Sequence, residues 1–428
     1  MKNALINNII SYIILATVFI TGGGFTDIGF TIYWYYPFYI LFVVYGILIY
    51  RVADIKVVSV FIVIVLYSVL TYQYGLNLVV KQLINIGFSF AVFYYFIVHE
   101  RFDLVGIFEK YISVAKIVLL IGFIQVILFS VGLGSVFTFV FPYLKNYSVT
   151  IRLQSIADEP SYIGLTFVPV VFLSLHNLFH RNYYLIGKWW SILFCVGYLM
   201  TLSSVAYIGM LIMLCLLYVK NFSYRKLQFV LFIFLGIFLA GLIAYRSISY
   251  VETRVDDTLY GLSRDFGEGD TYLKVNYSTY AILSNLYVTR KSFEQNPFTG
   301  TGLGTHELAH EKYMPYRMRD FRFFALNSQD ANSMGLRLIS ETGLVGFLLF
   351  CLFVLRYRVR SNSSFSGDLV ILWILNASIF VFICLCILRN GNYTVHGKIL
   401  FFLLYYYSYK EINRLLNSPK ESALAFLK

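Results

Sequence analysis

The amino-acid sequence predicts an all-α polytopic integral membrane protein, with about 12 transmembrane helices and one long external loop between spans 9 and 10. Of the 428 residues, 59% are hydrophobic, 19% are aromatic and only 13% are charged. A water-soluble fold of this length could not hide so much apolar surface. The one long polar stretch, residues 246–333, contains too many aromatic residues to be a disordered linker, so we expect it to be ordered and functional.

Apolar segments long enough to cross a hydrocarbon core of about 30 Å as a helix recur along the whole chain. We expect the sixth to be kinked, because Pro160 lies just before it and Pro169 lies inside it. Only Ser203 separates the seventh predicted span from the eighth. The twelve predicted spans are residues 5–22, 32–50, 56–73, 77–98, 112–131, 161–179, 187–202, 204–219, 227–245, 334–355, 368–388 and 396–409.

Basic residues in the short loops predict the orientation. Cytoplasmic loops of membrane proteins carry an excess of Lys and Arg. One side of this chain carries Arg51, Lys56, Arg101, Lys110, Arg181, Lys188, Lys220, Arg225, Lys226, Arg356, Arg358 and Arg360, and the other carries at most Lys145, Arg152, Arg389 and Lys398. We therefore expect both termini in the cytoplasm. Residues 1–245 would form membrane helices 1–9 with an external loop at 132–160, residues 246–333 the long external loop, and residues 334–428 helices 10–12 and a cytoplasmic tail.

The composition also argues against several classes of protein. The net charge of +12 is explained by the loop asymmetry, and no basic stripe accompanies it, so we expect no nucleic-acid partner. No Walker loop or metal-ligand spacing is present, and we predict neither a metal nor a cofactor. A disulfide framework is not expected, because every cysteine lies in an apolar run: Cys195, Cys215, Cys351, Cys384 and Cys386.

A glycine-rich segment, Asn296-Pro-Phe-Thr-Gly300-Thr-Gly302-Leu-Gly304, ends the polar stretch. It lacks the preceding strand and the glycine spacing of a nucleotide-binding fingerprint. Glycine is required where two backbones approach closely or where φ is positive. The segment therefore predicts a close backbone contact that excludes side chains.

This segment also belongs to a larger pattern. Asn332 follows it, and Glu341-Thr-Gly-Leu-Val-Gly346 enters the next apolar run. Together these residues resemble the C-terminal signature of the O-antigen polymerase and ligase superfamily. Arg152-Leu-Gln-Ser-Ile-Ala-Asp-Glu-Pro-Ser-Tyr-Ile-Gly164 resembles the arginine-containing segment that such polymerases carry before a central span. Ligase-like members tend to have a histidine directly before the asparagine, where this chain has Ala331, and this favours the polymerases.

The resemblance implies an O-antigen polymerase, a glycosyltransferase of lipopolysaccharide and surface polysaccharide biosynthesis. Such an enzyme joins undecaprenyl-pyrophosphate-linked oligosaccharide repeat units at the periplasmic face of the bacterial inner membrane. Its partners would be the lipid-linked glycan, the lipid bilayer and a chain-length regulator protein. The pyrophosphate linkage supplies the energy, which agrees with the prediction of no cofactor.

Two alternatives stay open. An O-antigen ligase would join the finished glycan to lipid A core by the same chemistry. A flippase or transporter of lipid-linked oligosaccharide would have a similar number of spans, but typically shows an internal repeat that this sequence does not display.

The resemblance implies a site that neutralises a departing pyrophosphate and deprotonates a sugar hydroxyl. Arginine suits the first task, because its planar, permanently charged guanidinium binds phosphate oxygens in pairs. Arg152 and Arg290 are the predicted catalytic arginines. Glu159, His306 and His310 are the candidate bases. The alternative for Glu159 is a helix N-terminal acid with Ser161 as the cap, and for each histidine an ordinary surface-loop position.

Further polar residues are predicted to bind substrate. Arg337 and Glu341 lie four residues apart and share a helix face, as a local ion pair or as a pocket lining. Lys81 would contact the lipid pyrophosphate or extend toward the headgroups, and the alternative for the loop arginines is a solvated face. The predicted set is Lys81, Lys291, Arg317, Arg319, Arg322, Asn332, Arg337 and Glu341.

Overall fold

The computed structural model describes residues 2–20, 24–27, 31–50, 54–141, 152–219, 239, 242, 245–247, 249–264, 266–267, 269–362 and 365–417. Within these ranges the chain is helical, apart from one antiparallel ribbon of two short strands, β1 (Gly24–Asp27) and β2 (Thr31–Tyr33). The predicted helical class is therefore correct for the part of the chain that is described.

The helices run in three groups along the chain. Before the polar stretch they are α1 (Lys2–Thr17), α2 (Tyr36–Tyr50), α3 (Ile55–Thr71), α4 (Leu76–His99), α5 (Leu104–Ser130), α6 (Gly134–Val140), α7 (Pro160–Thr166), α8 (Val168–His180), α9 (Lys188–Met200) and α10 (Ser204–Val219). Within it are α11 (Ser249–Leu262), α12 (Tyr277–Gln295) and α13 (His306–Tyr313). After it come α14 (Met334–Arg356), α15 (Asp368–Leu388) and α16 (Lys398–Asn417).

Four of these helices, α4, α5, α14 and α15, are long and apolar enough to cross a membrane, and the bent pair of α7 and α8 makes a fifth if it is counted as one span. Shorter apolar helices cover Ile6–Thr17, Tyr36–Tyr50, Val57–Thr71 and Ser204–Tyr218. The predicted seventh span is a helix of only 13 residues, α9. Most of the predicted ninth span, 227–245, lies outside the described residues. The total of twelve spans stays a prediction.

The kink expected in the sixth span is present, but it lies before Pro169. The axes of α7 and α8 differ by 60°, and the break falls at Phe167. Pro169 occupies the first turn of α8, where its missing N–H removes no helical hydrogen bond. The hydroxyl of Tyr111 donates to the carbonyl of Thr166, which satisfies one acceptor at the break.

Helix α15 lies at the centre of the packing, against α5, α8, α10, α14 and α16, and most of its length is buried. Asn376 is its buried polar anchor: the side-chain amide donates to the carbonyls of Tyr357 and Tyr405 and accepts from the N–H of Val359. The amide thereby fixes α15 against both flanking helices, which also carry the polar residues described below.

Residues 246–333 contain an apolar core of their own. Phe266, Val275, Tyr280, Leu283, Val288, Ala309, Met314 and Met318 form this second cluster of buried side chains. It joins α11, α12 and α13, and α12 also packs along α14. The described part of the polar stretch therefore packs around its own core and against α14, a helix long enough to span a membrane.

Candidate functional site

Helix α14 is interrupted at Gly343, where the backbone angles are φ 61° and ψ −164°. The glycine-rich segment lies against this break. A Cβ atom at Gly343 would meet the carbonyl of Phe298, and one at Gly300 would meet the backbone of Glu341. The predicted close backbone approach is confirmed, and it explains why glycine occupies both positions.

The glycine-rich segment also supplies hydrogen bonds that the interrupted helix cannot make internally. The N–H groups of Thr301 and Gly302 donate to the carbonyls of Ser340 at 3.1 Å and Glu341 at 2.9 Å. In return, the N–H groups of Leu344 and Val345 donate to the carbonyls of Pro297 and Phe298. Backbone polar groups at membrane depth must be satisfied by protein. The break is therefore a stable, paired feature that sets the position of Glu341.

Arg337 and Glu341 form the predicted ion pair one turn before the break. Arg337 Nε lies 2.8 Å from Glu341 Oε1, and the two residues are 4% and 0% exposed. Glu341 Oε1 also accepts from the N–H of His306 at 3.3 Å, and Oε2 accepts from the Tyr393 hydroxyl at 3.0 Å. A buried carboxylate is tolerated when it is paired and hydrogen-bonded in this way.

The guanidinium of Arg337 connects three parts of the chain. Its Nη2 donates to Gln82 Oε1 of α4 at 3.0 Å, and its Nη1 donates to the carbonyl of Gly391 at 3.2 Å. The ring of Tyr393 lies 4.3 Å from the guanidinium carbon. Arg337 therefore ties α14 to α4 and to the loop between α15 and α16.

Lys398 is a second buried cation, although its position in the sequence predicts only a short external loop. It begins α16 and is 0% exposed. Its ammonium donates to the carbonyl and the side-chain oxygen of Asn390, and to the carbonyl of Asn392. Electrostatic interactions link it to Arg337 and to Asp330. We call Gln82, Asp330, Arg337, Glu341, Tyr393 and Lys398 the buried polar centre.

Asn332 lies beside this centre in a left-handed conformation, with φ 56°. Its N–H donates to Asp330 Oδ1 at 3.0 Å, and its carbonyl accepts from the N–H of Asn390 at 2.9 Å. The side-chain nitrogen of Asn332 is buried and has no hydrogen-bond partner among the described residues.

Both histidines of the polar stretch are buried, so the surface-loop interpretation is wrong for them. The ring nitrogens of His306 bond to Ser340 Oγ and Asn285 Oδ1, each at 3.0 Å. Burial lowers the pKa of His306 to about 3 and that of His310 to about 4. The ring nitrogens of His310 find no partner in the described part of the chain, and its ring meets the Phe324 ring at 5.2 Å.

These pKa values predict that the protein loses stability on acidification. An unfolded histidine titrates near pH 6.5, so below that pH the unfolded chain binds protons that the folded chain does not. Stability therefore falls as the pH is lowered from about 7 toward 4, by about 3 kcal/mol for each of the two histidines. The fall in melting temperature over this range should be smaller in His306→Gln than in the wild type; equal falls would contradict the prediction.

Arg152 uses two of its nitrogens to hold the end of a helix. Its Nε and Nη2 donate to the carbonyls of Thr201 and Leu202, both at 3.0 Å. These carbonyls follow the last turn of α9, and the N–H of Leu153 donates to Met200 in the same place. Arg152 therefore has a clear structural role at the end of α9.

Glu159 is exposed and stands at the N-cap of α7, so Ser161 lies in the first turn and is not the cap. The Ser161 hydroxyl donates to Glu159 Oε2 at 2.9 Å. Tyr162 connects this segment to the centre, because its ring lies 4.2 Å from the His396 ring and it interacts electrostatically with Asp330.

The remaining predicted cations are exposed. Arg290 and Lys291 both pair with Glu294 at 3.0 Å on the surface of α12. The loop arginines are held within the polar stretch: Arg317 donates to the carbonyl of Gly267, Arg319 donates to the carbonyl of Glu311, and Arg322 lies over the ring of Phe323. Lys81 is exposed on α4, next to Gln82. The described contacts of the five cations of the polar stretch do not bring them into the buried polar centre.

The centre thus combines two buried cations with two carboxylates and a phenol. In the ranges that the structure describes, no group of three or more His, Cys, Asp or Glu side chains could hold a metal ion. Fixed cations of this kind stabilise phosphate groups, and a carboxylate beside them can accept a proton.

No protein-family model matches this chain, and no curated protein matches it.

Proposed function

We propose that the protein is a glycosyltransferase that polymerises undecaprenyl-pyrophosphate-linked oligosaccharide repeat units at the periplasmic face of the bacterial inner membrane. The observation that carries the proposal is the buried polar centre, with Arg337 and Lys398 at 4% and 0% exposure beside helices long enough to span a membrane. Buried cations at membrane depth are costly and mark sites of function. The resemblance of the glycine-rich segment, Asn332 and Glu341 to the polymerase signature supports the same assignment.

In this proposal Arg337 binds the pyrophosphate of the donor. Arginine has five N–H donors, and the hydrogen bonds of Arg337 to Glu341, Gln82 and Gly391 use three of them. The other two serve phosphate oxygens. Lys398 adds charge and holds the loop that contains Gly391. The exposed cations Arg290, Lys291, Arg317, Arg319, Arg322 and Lys81 would contribute to attracting the anionic donor.

The test is a reconstitution experiment. Purified protein in detergent or liposomes is given a synthetic undecaprenyl-pyrophosphate repeat unit, and the products are separated by size. A ladder of two, three and more units, with release of undecaprenyl pyrophosphate, is the expected result. Transfer of glycan only to added lipid A core would identify a ligase, and an unchanged donor would remove both assignments.

A transporter is the second candidate, because α14 and the α7–α8 pair are discontinuous and buried charges lie beside them. Discontinuous helices at a polar site are typical of transporters. Proteoliposomes with the lipid-linked unit in one leaflet distinguish the two functions. Movement of the unit to the other leaflet without condensation identifies a transporter, whereas condensation identifies the polymerase.

Arg152 provides a further prediction that separates its two roles. If it binds pyrophosphate, Arg152→Ala should leave the protein in the membrane while surface polysaccharide falls to single repeat units. If it only caps α9, Arg152→Ala should lower the melting temperature, with polysaccharide falling only in proportion to folded protein. Chain-length profiles on gels, normalised to protein amount and compared with Arg152→Lys, decide between them. Wild-type chain lengths from Arg152→Ala would remove the catalytic role.

A further inference from the structure

Asp330 is a carboxylate that the sequence did not single out. It is half-buried, two residues before Asn332 and just before α14 begins. Its Oδ1 accepts from the N–H of Asn332 at 3.0 Å and from Asn327 Nδ2 at 3.3 Å. A Cβ atom at Gly391 would collide with the carbonyl of Asp330. The backbone of Asp330 is therefore fixed against the loop that binds Arg337 and Lys398, and one carboxylate oxygen is held by its own turn.

The surroundings of Asp330 are positively charged. Its carbonyl packs against Gly391, the residue that accepts a hydrogen bond from Arg337. Lys398 donates to the carbonyls on either side of Gly391. In the described part of the chain its second oxygen, Oδ2, receives no hydrogen bond. A half-buried carboxylate with one fixed and one available oxygen is well suited to accept a hydrogen bond from a ligand.

Two buried polar groups also point to a polar ligand, one on Asn332, which bonds to Asp330, and one on His396, two residues before Lys398. The Asn332 side-chain nitrogen and His396 Nδ1 have no partner among the described residues, and the two residues are 5% and 4% exposed. The His396 ring lies 4.2 Å from the Tyr162 ring, at an angle of 41° between the two ring planes. Buried polar groups of folded proteins are nearly always hydrogen-bonded. A sugar, with several hydroxyl groups, would satisfy both.

The other candidate bases are less well placed. Glu341 is fully buried and both of its oxygens accept hydrogen bonds from protein groups. His306 is fully buried with both ring nitrogens engaged. Glu159 is exposed to solvent at the start of α7. Asp330 combines partial access with two nearby cations.

We propose that Asp330 is the general base that activates the acceptor sugar hydroxyl, an inference that rests on the proposed polymerase function. The hydroxyl oxygen forms a bond to the anomeric carbon of the donor, and the bond from that carbon to the pyrophosphate oxygen breaks. The bonding electron pair leaves with undecaprenyl pyrophosphate, next to Arg337 and Lys398. The hydroxyl proton passes to Asp330 Oδ2.

The substitution Asp330→Asn tests this role with little change in shape. The amide oxygen can still accept from Asn332 and Asn327, while the proton acceptor is lost. We expect the rate constant for ladder formation to fall by about 10²- to 10⁴-fold. The dissociation constant for undecaprenyl pyrophosphate should stay within about twofold of wild type or decrease, because a negative charge near the anion is removed. Asp330→Glu should recover part of the rate.

Asp320→Asn is the matched control, because Asp320 is an exposed aspartate of the same stretch; its rate should equal that of wild type. A wild-type rate from Asp330→Asn would show that Asp330 is not the general base. The proposed polymerase function would still stand if the wild-type protein makes a ladder. A joint loss of rate, pyrophosphate binding and melting temperature assigns Asp330 a structural role and also overturns the base. If the wild-type protein makes no ladder, both the proposed polymerase function and the proposed role of Asp330 are wrong.

Discussion

Replacing Arg337 by alanine is expected to abolish polymer formation and to destabilise the protein by about 3–5 kcal/mol. The substitution leaves Glu341, which is 0% exposed, as a buried charge without its partner. Removing one member of a buried pair costs this much because the remaining charge is not compensated. It also removes the donors to Gln82 and Gly391, so three parts of the chain lose a common contact.

The double variant Arg337→Met with Glu341→Leu separates stability from activity. Replacing both members of a buried pair by apolar residues is often neutral or stabilising. We therefore expect the double variant to regain most of the melting temperature that Arg337→Ala loses, while the ladder stays absent because no guanidinium faces the pyrophosphate. Arg414→Ala is the control, since Arg414 is exposed and pairs with Glu411 on the surface of α16. A double variant that forms a normal ladder would show that Arg337 has only a structural role.

The second large effect is expected at the break in α14. Gly343→Ala places a side chain at φ 61° and ψ −164°, a conformation that only glycine adopts readily, and directs its Cβ into the carbonyl of Phe298. Backbone strain costs on the order of 1–3 kcal/mol, and overpacking adds about 1–3 kcal/mol. The purified protein should lose several kcal/mol of stability, or fail to accumulate in the membrane.

Two other glycines allow these costs to be measured separately. Gly132 has φ 79° with open space around its Cβ position, so Gly132→Ala introduces strain alone. Gly187 has φ −76° and open space, so Gly187→Ala introduces neither strain nor a clash. Melting temperatures in detergent should rank Gly187→Ala highest, then Gly132→Ala, then Gly343→Ala. Equal values for Gly343→Ala and Gly187→Ala would contradict the account of the break.

The features that depend on local geometry could be predicted from the sequence. Helical spacing placed Arg337 and Glu341 on one face, and the structure pairs them at 2.8 Å. The glycine-rich segment predicted a close backbone approach, and Gly300 lies against the backbone of Glu341. The glycines did not identify the segment that they approach, because this contact joins segments about 40 residues apart and depends on tertiary packing.

The features that depend on tertiary packing could not be predicted. Lys398 follows a short loop and precedes an apolar run, which is the pattern of a lysine at a membrane surface, yet three oxygens of its own loop enclose it. His306 lies in a polar stretch and is nevertheless fully buried, because that stretch folds onto α14. Arg152 has a motif resemblance that suggests catalysis, while its described hydrogen bonds cap α9.

The paired break at Gly343 also bears on the order in which the protein is made. Residues 297–302 leave the ribosome before α14 does, so the groups that complement Ser340, Glu341, Leu344 and Val345 already exist when this helix is inserted. The interrupted helix can form these hydrogen bonds as it enters the lipid. Its backbone amides then need not remain unpaired in hydrocarbon. We therefore expect the insertion of α14 to depend on residues 297–302 being in place.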